Sequence, residues 1–539
     1  MRLYHSAFGV IWLILLLTGL LSTSCTAPQV TQGDIDVLVN ADGVEKSIRV
    51  PSGSTVQQVI DNAGITLSAL DRVEPASYTV ISDGSEVRII RVDEEFFVKE
   101  VIIPFERQVV RNESMPAGES RLSQPGVNGV QENTYRRLLE NGVEVANSLV
   151  KSVTVQEAVP EIMMMGSQSP FAAVAIPGKL AYLSNGNAWV MEGTTANRKP
   201  VITTGDLDGQ IFSLSQDGSW LLFSRHADDD KNINTLWAAK IDDDPIELID
   251  LQVANIVHFA DWNPALSVVG FSTVEPRSTP PGWQANNDLY TAGVSDSGFT
   301  TEPRPELEPN AGGIYGWWGM DFTWFPDGLR LAYTRPDGVG IFDPRDDQLQ
   351  VVRETIPLQT GSDWAWAPGV SLGPDGKVLY MVDHVPSPGS AIPEESSLFD
   401  LVAIPLEAGF PVTLASDVGM FAYPAASPVY DSASADPAFN GDYQVAFLQA
   451  IFPNQSDSSR YQLIVIDRDG SNRRVLFPGE GAPGLEPQHV NWSPERVNDE
   501  GKSILIAILY QGNLWFVDAE DGSAQQITGD GQTSRIDWK

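Results

Sequence analysis

Cysteine is nearly missing from this sequence. Cys25 is the single cysteine in 539 residues, so no intrachain disulfide can form and no thiolate cage can hold a metal. Histidine is scarce. His5, His226, His258, His384 and His489 lie far apart, none at metal-motif spacing from another, so no metal site is expected. Positive charge is short as well. Lys and Arg number 34 against 71 Asp and Glu, and the formal net charge is −37, which argues against binding nucleic acid or anionic head groups by charge. No phosphate loop or dinucleotide fingerprint occurs, and no cofactor is expected. Gly369-Val370-Ser371-Leu372-Gly373 has nucleophile-elbow spacing, but the turn residues Pro374-Asp375-Gly376 follow where an elbow must open a helix. The acidic runs at 228–230 and 242–244 read as solvated loop tips before they read as calcium ligands.

Apolar sequence is plentiful by contrast. Hydrophobic residues make up 42% and tryptophans number 14, the composition of a folded chain. One long apolar run stands at residues 7–21, after Arg2 and before the small residues Ser22-Thr23-Ser24. It is short for a membrane span and has the layout of an export signal. Cys25 directly after small residues resembles the lipobox of bacterial lipoproteins, with Ser22 where that family has Leu. The resemblance implies cleavage before Cys25, lipidation of that residue and a membrane anchor. Plain secretion and an uncleaved anchor are the alternatives, and each exports the rest of the chain.

After a polar tether at 26–33, residues 34–92 read as two strands around Ala41-Asp42-Gly43, a helix capped by Ser54 and stopped at Gly64, and two further strands at 78–81 and 86–91. This order suggests a β-grasp, ubiquitin-like module. It resembles the small domain that often precedes a five-glycine domain. Residues 93–168 then resemble the G-five domain family. The hallmark glycines map onto Gly118, Gly126, Gly129, Gly142 and Gly166, and Ile103-Pro104-Phe105-Glu106, Asn141-Gly142 and Glu157 with Pro160 also match. The strands at 97–103 and 150–155 alternate, with too little apolar sequence for a thick core, so an elongated all-β spacer is expected. The resemblance implies a bacterial envelope location and contact with N-acetylglucosamine-containing glycan or peptidoglycan. Zinc pairing, used by some members, is not carried over, because residues 94–168 hold no histidine. A stalk that only holds the rest of the chain away from the membrane is the alternative.

A linker at 169–178 leads into a repeat that fills residues 179–539. Its clearest copy, residues 321–342, reads strand, Pro326-Asp327-Gly328 turn, strand, turn, strand. Anchored on Trp324, further copies fall at Leu214, Trp262, Leu372, Ala426, Trp492 and Trp538, with successive spacings of 48, 62, 48, 54, 66 and 46 residues. Several strands in a period of that size indicate a β-propeller. The chain ends in a first strand at 535–539, and the array begins at 179–183 with a second strand that lacks its first. Together these predict seven blades closed by the C-terminal strand, which leaves no free sheet edges. The copies resemble the TolB-type repeat, a relative of WD repeats, and the resemblance implies fold more than function. The fold class expected is mainly β: a β-grasp module, a G-five domain and a seven-bladed propeller.

Three residues before each anchor should be the start of an inner strand at the mouth of a central channel. That row is Ile211, Phe259, Asp321, Gly369, Tyr423, His489 and Arg535, and His258, Trp317, Trp318, Trp364 and Trp366 lie in the neighbouring crossings. A partly apolar cup with Asp321, His489 and Arg535 as polar groups would be a ligand site. Aromatics that merely cap the channel are the alternative. With no catalytic motif, the expected function is non-catalytic: an extracytoplasmic, membrane-anchored lipoprotein that binds wall glycan or an envelope protein. A propeller enzyme, a lyase or hydrolase of envelope glycans, is the second reading. The lipobox makes one expectation directly testable. Cys25→Ala should move the protein from the membrane to the soluble extracytoplasmic fraction; retention in the membrane with residues 1–24 still attached would identify an uncleaved anchor.

Overall fold

A computed structural model describes residues 33–539 except 113–114, 116, 168–170, 230, 244, 347, 361–362, 390, 431–441 and 498–502. Cys25 and the export segment therefore lie outside the described residues. The chain divides into two compact units. The first contains residues up to Arg107 and Gln124–Glu161; the second contains Gln108–Ser123 and Ile162–Lys539.

In the first unit, Asp34–Ala41 and Val44–Pro51 pair antiparallel around a turn in which Asp42 and Gly43 both take positive φ. Glu86–Ile90 joins the other side of Asp34–Ala41 in parallel, and Arg72–Glu74 completes a four-stranded sheet. The helix Val56–Ala63 buries Val56, Val59 and Ile60 against this sheet. Thr55, not Ser54, is its N-cap residue, and Gln58 accepts the Thr55 N–H at 2.9 Å; the Ser54 hydroxyl instead donates to the carbonyl of Pro51. The strand expected at 78–81 does not form. Tyr78 is 84% exposed and only Val80 pairs, through one bridge to Thr55, while Arg72–Glu74 takes the sheet position.

Val92–Ile103, Gly129–Glu140 and Val143–Gln156 make a separate long antiparallel sheet. Every residue of Val143–Gln156 is exposed, so this sheet has little core, as its alternating and polar sequence implied. Asn141-Gly142 forms its hairpin turn, both residues at positive φ. Gly126 lies against the Phe105 ring and Gly129 against the backbone of Gln156 and Ala158.

The second unit starts with a three-stranded sheet of Arg107–Asn112, Glu161–Gly166 and Ser120–Gln124, where the Gly118 N–H donates to the Gly166 carbonyl at 3.3 Å. Seven antiparallel sheets of three or four strands follow among the described residues, with a two-stranded hairpin, Val274–Pro276 and Trp283–Ala285, inserted within the third. Six of them have four strands in sequential order, and their first strands are Leu207–Leu214, Ala260–Trp262, Asp321–Trp324, Val370–Leu372, Ala425–Ala426 and Asn491–Trp492. The remaining one, first in chain order, has three: Asn187–Ile202, Ala175–Ser184 and the C-terminal strand Thr533–Trp538. In it Leu180 faces Trp538 and Tyr182 faces Ile536.

Each sheet packs on the next through a shared apolar cluster. Leu183 and Val190 meet Leu214 and Phe223; Trp220 and Leu236 meet Trp262 and Phe271. Phe259 meets Phe322 and Trp324; Phe325 meets Leu379; Tyr380 meets Phe447; Leu463 meets Ile506. The seventh cluster returns to the first sheet, where Trp538 stacks on Phe516 at 4.9 Å and its indole N–H donates to the Pro177 carbonyl. Deleting residues 534–539 removes the edge strand and buried Trp538 together. Loss of a buried aromatic alone costs about 3–5 kcal/mol. The truncated protein should therefore melt well below the full chain in a thermal scan, and an unchanged midpoint would show that the pairing carries no stability.

Candidate functional site

In a sheet built from sequential strands, the start of each first strand lies at the same end as the turn between the second and third. At that end of the second unit is a cavity of about 270 Å³. Five successive sheets contribute to it: His258 precedes one first strand, Trp318, Gly319, Asp321 and Thr323 belong to the next, Gly369 and Val370 to a third, Tyr423 and His489 to the last two. Thr334 and Pro336 complete the wall below Trp318.

Two glycines let the walls approach. A Cβ at Gly319 would sit 2.6 Å from Nε2 of His258, and one at Gly369 would sit 3.0 Å from Cδ1 of Tyr423. Tyr423 itself has φ of 41°, a left-handed conformation that a bulky side chain adopts only when its surroundings impose it. Its ring lies on His489 with centroids 4.3 Å apart. The His258 ring meets Trp283 edge-on at 4.6 Å, and its Nε2 is buried with no hydrogen-bond partner among the described residues.

Asp321 and His489 are both solvent-exposed side chains that open onto the cavity. Burial pushes the Asp321 carboxyl up to about 7; the Phe322 N–H bonded to Oδ1 at 2.8 Å opposes this and the charge of Asp261 adds to it. Burial lowers His258 to about 4, and burial with the nearby Arg535 charge lowers His489 to about 4. Burial raises Tyr423 to about 12, helped by Asp321. Both imidazoles are thus neutral at neutral pH, and Asp321 is poised near its midpoint.

Of the residues singled out from sequence, His258, Trp318, Asp321, Gly369, Tyr423 and His489 line this cavity. Phe259 and Ile211 do not: both are buried between sheets, Phe259 against Phe322 at 5.5 Å. Trp366 is 3% exposed, its indole N–H donating to the Met420 carbonyl and its ring packed on Phe399. Trp317 and Trp364 are each 38% exposed in their loops and do not line the cavity. Arg535 lines a neighbouring cavity of about 510 Å³ with Arg460, Glu486, Gln488 and Tyr510, and its Nε donates to the Gly209 carbonyl at 2.6 Å. A third cleft, of about 320 Å³, lies at the other end of the first strands beside Trp220 and Trp262.

Reasoning from position three before the anchor missed a second row. One residue before each anchor stand Ser213, Asp261, Thr323, Ser371, Ala425, Asn491 and Asp537. Ser213 Oγ donates to Asp261 at 2.5 Å, Asp537 accepts the Leu214 N–H at 2.7 Å, Ser371 accepts the Ala426 N–H, and Asn491 donates to the Ile536 carbonyl. These bonds join first strands of adjoining sheets. The signal was available: side chains two apart on a strand share a face, and six of the seven positions are polar.

The Asp321 environment gives a pH test. A carboxyl in the unfolded chain titrates near about 4. The folded value of about 7 means that ionisation removes stability as pH rises between those limits. Asp321→Asn abolishes this loss. Its melting temperature relative to wild type should therefore rise from about pH 4 to about pH 7 and then level; a pH-independent difference would show that Asp321 is not withdrawn from water.

Comparison with known proteins bears on the front of the chain. Residues 95–168 match the G5 domain family, and residues 37–77 match the G5-linked ubiquitin-like domain. Among curated proteins, resuscitation-promoting factor Rpf2 of Corynebacterium glutamicum is 24% identical over 140 residues, 26% of this chain and 37% of that protein. RpfB of Mycolicibacterium smegmatis is 24% identical over 155 residues, 27% of this chain and 41% of that protein. The chain thus spans less than half the length of these relatives. Among solved structures, a Bacteroides fragilis protein described as a 6-phosphogluconolactonase aligns with 65% of this chain and 93% of its own, at 11% identity and a TM-score of 0.39. Among the described residues no helix is long and apolar enough to cross a membrane. The chain carries a G5 domain and its linked ubiquitin-like domain ahead of seven successive antiparallel sheets.

Proposed function

We propose that the seven sheets are the blades of a TolB-like β-propeller closed by Thr533–Trp538, and that the protein is an extracytoplasmic, non-catalytic binder of an envelope glycan. The closure rests on the pairing of the C-terminal strand with Ala175–Ser184 and on the seventh apolar cluster, which joins the last sheet to the first. The glycan reading rests on one observation: five successive sheets direct Trp318, Tyr423, Asp321, Thr323 and two uncharged imidazoles into one cavity. Aromatic faces stack on the C–H faces of a sugar ring, and the polar groups match its hydroxyls. In this reading the chain is anchored through Cys25, and the G5 and ubiquitin-like modules contact the wall. An envelope protein is the other partner class for the propeller; nucleic acid is not proposed.

A propeller enzyme acting on envelope glycan is the second reading. It is favoured by Asp321, whose carboxyl is held near 7 beside two imidazoles and so suits proton transfer at neutral pH. One titration separates the two. Soluble wall-derived oligosaccharide should quench tryptophan fluorescence saturably, and Trp318→Ala should weaken binding about tenfold with unchanged circular dichroism. No new reducing ends should accumulate. Their time-dependent appearance, lost in Asp321→Asn, would establish the enzyme, and absence of saturable binding to the full chain would reject the glycan reading.

A further inference from the structure

The cavity has an unbalanced charge. Among its described lining residues Asp321 is the sole carboxyl, and no Lys or Arg is present. One carboxylate oxygen accepts the Phe322 N–H, and Asp321 has no salt-bridge partner among the described residues. The groups around it do not compensate. His258 and His489 are neutral, Tyr423 is protonated, and Asp261 on the adjoining first strand adds a second negative charge. Arg535 acts on His489 but opens into the neighbouring cavity. A carboxylate that opens onto a cavity without a cation is a ready partner for one carried by a ligand.

The walls that flank it are aromatic. Trp318 and Tyr423 line the same space, and Gly319 and Gly369 are the glycines that let His258 and Tyr423 close in. A carboxylate in a cavity that aromatic rings also line is the make-up of a site for an organic cation, because ring quadrupoles and the carboxylate attract the same charge. Buried Nε2 of His258 and the hydroxyl of Thr323 add hydrogen-bonding positions suited to a polyhydroxy ligand.

We infer that this cavity selects an amino sugar with a free ammonium group, which pairs with Asp321 between Trp318 and Tyr423, over the N-acetylated sugar. The inference rests on the glycan reading above and sharpens it. An acetamide in the same place carries no charge and leaves Asp321 without a counterion. Binding the ammonium should ionise Asp321 and so release a proton, since the carboxyl is largely protonated just below neutrality.

The test is calorimetric titration of the full chain at pH 6 with a glucosamine oligomer, the matching N-acetylglucosamine oligomer and n-butylammonium, each in two buffers of different ionisation enthalpy. The glucosamine oligomer should bind roughly tenfold or more tighter than its acetylated counterpart and release close to one proton per site. Butylammonium should bind weakly with the same proton release. Asp321→Asn keeps the acceptor for the Phe322 N–H and should abolish both the preference and the proton release. Equal binding of the two oligomers without proton release would overturn the ammonium assignment and leave glycan binding standing. Binding of neither oligomer would overturn both. Should the variant fail to fold, the wild-type proton count alone decides.

Discussion

The pairing between Thr533–Trp538 and Ala175–Ser184 is the constraint on which the second unit depends. It joins residues as far apart as Trp538 and Pro177, 361 positions in sequence. Without it the first sheet has two strands and the last apolar cluster loses Trp538 and Ile536. With it, Phe516, Trp538 and Tyr182 share a single buried core. Long-range pairing of this kind carries a large ordering cost, which many buried aromatic and aliphatic contacts offset jointly.

The cavity is a consequence of that arrangement. First strands of neighbouring sheets come close enough to exchange hydrogen bonds, as between Ser213 and Asp261 and between Asp537 and Leu214. Polar side chains on these strands are therefore satisfied by their neighbours deeper in the molecule. At the strand starts Tyr423 packs on His489 of the next sheet, and Asp321 opens onto the cavity they line. Asp261 and Asp321 lie in the same two rows yet differ in this respect: Asp261 has Ser213 as donor, and Asp321 has only a backbone N–H. That difference leaves Asp321 free for a ligand.

Local chemistry placed much of this correctly from sequence. The Asp-Gly and Asn-Gly turns, the helix at Val56–Ala63 and the first strand of each repeat all follow from turn residues and periodicity. The strand expected at 78–81 failed because that segment is a loop that bridges the helix start once, Val80 to Thr55, and buries Ile81 in the core. In the candidate row, strand alternation indicated a side for each residue. Ile211 and Phe259 occupy that side and are nonetheless buried, since large apolar side chains turn into the interface with the next sheet.

The amino-acid sequence by itself determined the G5 and ubiquitin-like modules at the front and the mainly β character of the rest, because these depend on turns, alternation and spacing along the chain. Tertiary structure alone decided which residues reach one cavity. Trp318 lines it while Trp317 and Trp364 remain outside, and Arg535 opens into another. Sequence period sets which face of a strand a residue occupies. Whether that face meets solvent or a neighbour's side chain depends on how sheets distant in sequence pack against each other, and that is a property of the whole assembly.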